Sequence, residues 1–115
     1  MSNADRKKML LSLIAFERPV DDVLTALRSL PWDSMELVTL MPENVIRVLR
    51  RFKAGELNAR QVEHWAGAIE GRDDIAMTDL LKDVLFDLAN PVLQGNLDDA
   101  RAEAQISRLR RRDAR

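Results

Sequence analysis

The chain has no cysteine and no tyrosine, one histidine, and only four glycines and four prolines in 115 residues. Without cysteine there is no disulfide framework, no thiolate metal site and no thiol nucleophile. Zinc asks for three or four nitrogen, sulfur or carboxylate ligands, and His64 has no second histidine or cysteine to join it. A serine triad would have to use that same His64, which lies almost opposite Val62, Ala66 and Ile69 on its helix and is expected to face solvent. So few glycines leave no glycine-rich phosphate loop. No apolar run approaches the roughly 18 residues that cross a membrane. The opening MSNADRKKMLLSLIAFE resembles a secretory leader, but Ser12 interrupts its apolar run, Glu17 ends it, and no small-residue cleavage site follows. These absences predict a cytoplasmic, non-enzymatic protein with no catalytic residues, cofactor, metal or membrane contact.

What the chain does contain is a globular balance, 46% hydrophobic and 32% charged, in a length suited to one domain. The net charge of −1 hides an uneven distribution. Arg47, Arg50, Arg51, Lys53 and Arg60 make one stretch basic. From Gln61 to Ala100 the chain is acidic, with Glu63, Glu70, Asp73, Asp74, Asp79, Asp83, Asp87, Asp98 and Asp99 against only Arg72 and Lys82. The end, ISRLRRRDAR, is basic again. Such asymmetry bears on partners and encounter rates more than on fold.

Hydrophobic periodicity predicts an all-α, single-domain bundle of about five or six helices over residues 1–110, with 111–115 a disordered basic tail and no convincing strand. A first helix covers Asp5 to Glu17. Pro19 opens a second, which Pro31 stops, and the Pro31-Trp32-Asp33-Ser34 corner leads into MELVTL, a short helix or an extended piece. Pro42 opens a third, with Val45, Ile46, Val48, Leu49 and Phe52 inward, and Gly55 suits its left-handed C-cap. Asn58 and Gln61 form a capping box before a fourth helix, with Val62, Trp65, Ala66 and Ile69 inward and Gly71 at its end. Thr78 caps a fifth, packed through Leu80, Leu81, Val84, Leu85 and Leu88 and ended near Ala89 by Pro91. Asn96 caps a sixth, Leu97 to about Arg110. Trp65 and Trp32 read as packing residues whose indole N–H reaches a carbonyl or carboxylate.

The fifth helix carries Asp79, Asp83 and Asp87 at a spacing of four. Like charges so placed weaken an isolated helix by roughly 0.2–0.5 kcal/mol per pair, so compensating positive charge is expected from elsewhere in the fold or from a partner. The preceding turn, Glu70-Gly71-Arg72-Asp73-Asp74, offers further carboxylates; Arg72 suits pairing with one of them, and Asp73 or Asp74 suits the free N–H groups of the next helix. Phe86 projects nearly opposite the Leu81–Leu85–Leu88 side. Large aromatics are usually covered, which would place it beneath the first helix; left exposed, it would be an aromatic anchor in a charged rim.

The segments GELNARQVEHWAGAIEGRDDI and VLFDLANPVLQGNL, spanning Gly55 to Leu97, resemble a signature of small bacterial helical proteins. In these a glycine-acid-leucine turn, a tryptophan helix, an acid-rich turn and a leucine-alanine-asparagine-proline stop follow in order. More distantly they resemble immunity proteins of the colicin D type. The resemblance implies neutralisation of a basic toxin domain by tight binding. Glu70, Asp73, Asp74, Asp79, Asp83, Asp87 and Phe86 are the candidate partner-binding residues. Two other readings stand beside this one: a nucleic-acid-associated regulator using Arg47, Arg50, Arg51 and the arginine-rich end, and a self-associating helical module, such as a homodimer.

Overall fold

A computed structural model describes residues 3–30 and 36–113. Within them the elements run α1 (Asn3–Ala15), α2 (Val20–Arg28), β1 (Val38–Thr39), α3 (Pro42–Lys53), α4 (Ala59–Glu70), β2 (Ile75–Ala76), α5 (Asp79–Ala89), α6 (Pro91–Gln94) and α7 (Asp99–Asp113). The protein is an all-α single domain around one hydrophobic core. The corner at residues 31–34, with the packing expected of Trp32, lies outside the described residues, as do the last two residues of the basic tail. The remainder of that tail is helical, because α7 runs to Asp113 rather than ending near Arg110.

The helix starts follow local chemistry. Pro42 occupies the first turn of α3, and the Met41 backbone N–H donates to Asn44 Oδ1 at 2.8 Å. Asn58 and Gln61 close a reciprocal capping box on α4, each bond 2.8 Å. Thr78 Oγ1 accepts the Leu81 N–H at the start of α5. The cap of α7 is Asp98 rather than Asn96: its carboxylate accepts the Arg101 N–H at 2.8 Å. Gly55, at φ 84°, takes the left-handed position after α3.

The end of α1 departs from the usual chemistry. Phe16 sits at φ 52°, with Phe16 N–H donating to the Leu13 carbonyl and Glu17 N–H to the Ser12 carbonyl. This paired closure normally places glycine in the left-handed position, and a side chain there costs roughly 1–2 kcal/mol. The aromatic ring supplies the offset. It stacks on Trp65 with centroids 6.4 Å apart and lies under the Arg51 guanidinium at 5.4 Å, while Arg51 Nη1 donates to the Phe16 carbonyl.

Trp65 is fully buried, and its Nε1–H donates to the Leu13 carbonyl at 2.8 Å, so α4 is tied to α1 through both ring and hydrogen bond. The packing is densest between α4 and α5, then between α3 and α7. The expectation of no strand is corrected. MELVTL is extended at Val38–Thr39 and pairs in parallel with Ile75–Ala76, in the register Val38 with Ile75 and Thr39 with Ala76. The Leu37 N–H to Asp74 carbonyl bond and the Leu40 N–H to Ala76 carbonyl bond, 2.9 and 2.8 Å, flank this ladder. Pro91 likewise does more than stop α5: it opens the four-residue α6.

Candidate protein-binding surface

Packing fixes the orientation of α5. Leu81, Val84, Leu85 and Leu88 are buried against the core, which turns Asp79, Lys82, Asp83 and Phe86 outward. At about 100° per residue, Asp79, Asp83 and Phe86 fall within an arc of about 60°. Asp87 lies beside this arc, rotated toward α7.

The candidate carboxylates separate into two groups. Asp79 and Asp73 are exposed, and Glu70 is half-buried at the end of α4. Asp83 keeps 71% of its side-chain surface, with Arg108 Nη2 4.0 Å away. By contrast, Asp87 is 26% exposed and accepts from Arg108 Nη1 at 3.2 Å and Gln105 Nε2 at 3.4 Å. The compensating charge for the aspartate row therefore comes from the arginine-rich end of the chain, and it is spent chiefly on Asp87. The expectation that all three aspartates form an open stripe is corrected to Asp79 and Asp83.

Asp74 also leaves the surface set. It is 2% exposed. Its carboxylate accepts from Arg72 Nε and Nη2 at 2.8 and 2.9 Å and from Arg6 Nε at 3.1 Å. Burial pushes the Asp74 carboxyl pKa up, but the Arg72 bonds and charge, followed by those of Arg6, outweigh it and hold the group below its ordinary value. Asp74 binds the protein to itself and is not part of the exposed surface.

Phe86 is 42% exposed rather than covered, because α1 packs on α2, α3 and α4 and leaves this side of α5 open. Beyond it, Asn90 Nδ2 donates to the Phe86 carbonyl at 2.8 Å, and α6 then presents Val92 at 96% and Leu93 at 69% exposure. Neither residue is among the candidates that the sequence offers, where Pro91 signals only the end of the fifth helix. The signal in the chain is an adjacent apolar pair, Val92-Leu93, confined between the helix-stopping Pro91 and Gly95.

Three basic residues of α3 are engaged elsewhere, while Arg47 is exposed. Arg50 lies 3.9 Å from Glu43, Arg51 pairs with Glu56 at 3.1 Å, and Lys53 pairs with Glu103. None reaches the acidic row. His64 is exposed, with Nε2 2.8 Å from Asp21 Oδ1. Among the described residues no group of three or more histidine or acidic side chains is arranged to hold a metal ion, and no helix is long and apolar enough to cross a membrane. What the α5–α6 edge can do chemically is attract a cationic surface and bury apolar area against it. Comparison of the chain with known protein families, curated proteins and solved structures returns no match.

Proposed function

We propose that this protein is a non-enzymatic binding module that docks a cationic protein surface against α5. Neutralisation of a basic toxin domain, as the resemblance to immunity proteins implies, is the most concrete form of this activity. One observation carries the reading: Asp79 and Asp83 stay exposed beside an exposed aromatic ring, while the nearby Asp74 and Asp87 are held by Arg6, Arg72 and Arg108. Exposed carboxylates accelerate encounter with a cationic partner, and a neighbouring apolar residue slows its departure.

The test compares affinity capture by the wild-type protein with capture by an Asp79→Lys/Asp83→Lys variant, at low and high salt. A partner that salt weakens and that charge reversal loses by at least about tenfold supports the reading. A partner held equally by the reversed variant overturns it. Titration with mixed RNA and DNA checks the nucleic-acid alternative, which requires salt-sensitive binding lost on substituting Arg47 and Arg50.

A further inference from the structure

Among the described residues, three of the five large hydrophobics left exposed are close together in the chain, the other two being Leu11 on α1 and Met41 before α3. Among the large hydrophobics that remain exposed, Phe86, Val92 and Leu93 fall within eight consecutive residues, at 42%, 96% and 69%. Val92 and Leu93 sit on α6, which is only one turn long. A side chain left almost wholly in water at such a bend projects from the surface as a knob, and its complement is a recess. The knob has a defined electrostatic setting. Asp79 and Asp83 extend from Phe86 back along the same edge of α5, where the positive charge comes from Lys82 on that helix and from Arg108, 4.0 Å from Asp83. Asp87 carries Arg108 on the flank toward α7.

We infer that Val92 and Leu93, with Phe86, form the apolar centre of the contact, and that the occupant is a concave protein surface with an apolar floor and a rim of lysine or arginine. This rests on the proposed function and deepens it. Charge complementarity selects the rim, and the projecting geometry selects the recess. The arrangement matches the general anatomy of interfaces, with an apolar centre desolvated inside a polar margin.

A soluble mimic of such a recess is a β-cyclodextrin carrying amino groups around one rim, with unmodified β-cyclodextrin as the uncharged control. Titrating the ¹⁵N-labelled protein with each should shift the amides of α6 and the end of α5. The aminated ring is expected to bind at least about fivefold more tightly at low salt, an advantage that added salt removes. Val92→Ser/Leu93→Ser should weaken both rings by about tenfold or more, whereas Asp79→Asn/Asp83→Asn should erase only the advantage of the aminated one. Shifts centred elsewhere, or unchanged binding by the serine variant, overturn the inference while leaving the charge-based function standing. Equal affinity for both rings counts against the cationic rim and against that function together. A doubled mass in light scattering that Leu93→Ser returns to the monomer assigns the knob to a second copy and also overturns the inference.

Discussion

At the scale of single residues, Asp74 holds the N-terminal helix to the middle of the chain. Its carboxylate joins Arg6, 68 positions earlier, to Arg72. Removing the charge while keeping the shape leaves a buried pair broken, so Asp74→Asn is expected to cost about 3 kcal/mol in urea unfolding. The pH dependence has a definite sign. Because the folded pKa lies below that of the unfolded chain, the stabilisation is complete above the ordinary carboxylate value near ~3.9 and fades as pH falls through the lower folded value. The wild-type advantage over Asp74→Asn should therefore shrink in that acid range, which unfolding midpoints from pH 6 down to pH 2 will measure. Trp65 supports a second expectation at this scale. Trp65→Phe keeps a ring for Phe16 but loses the bond to Leu13; because the Leu13 carbonyl still accepts from the Phe16 N–H, the lost hydrogen bond should cost about 1 kcal/mol, measured by urea unfolding.

At the scale of elements, the caps and apolar stripes carry most of the information. Asn58→Ala removes one arm of the box on α4 and is expected to lower stability by about 1 kcal/mol, measured by thermal or urea unfolding. The same stripes made α3, α4 and α5 legible, because Val45–Leu49, Val62–Ile69 and Leu81–Leu88 repeat at the helical period and stop at Gly55, Gly71 and Pro91. The strands were not legible: two residues show no period, and pairing between Val38 and Ile75 is a non-local fact. Asp74 was misread for a similar reason, since nothing near it in the chain announces Arg6. The end of α1 was placed at Glu17 because no glycine marks it, Phe16 having taken the left-handed position instead. The two expectations for Phe86, covered by the first helix or left exposed as an anchor, are decided by where α1 packs, a non-local fact its own helix does not carry.

At the scale of the whole molecule, charge is partitioned between holding the fold and facing outward. Arg6, Arg51, Lys53, Arg72 and Arg108 are engaged with this protein's own carboxylates, whereas Asp79 and Asp83 face solvent, Asp83 with only the 4.0 Å approach of Arg108. Reversing both aspartates to lysine puts positive charge at the N-terminus of α5 and beside Arg108 and should cost about 1–2 kcal/mol, modest against the stability of a domain of this size. The charge-reversed variant therefore remains a folded probe of binding, which circular dichroism and a urea titration will verify.

The short parallel ladder has a consequence for the covalent chain itself. By clasping residues 37–40 to residues 74–76, it turns α3 and α4 into a closed circuit fastened at its neck. A single proteolytic nick at the exposed Gly55–Glu56 bend, within that circuit, should leave two fragments that migrate as one species under native conditions and part only in denaturant.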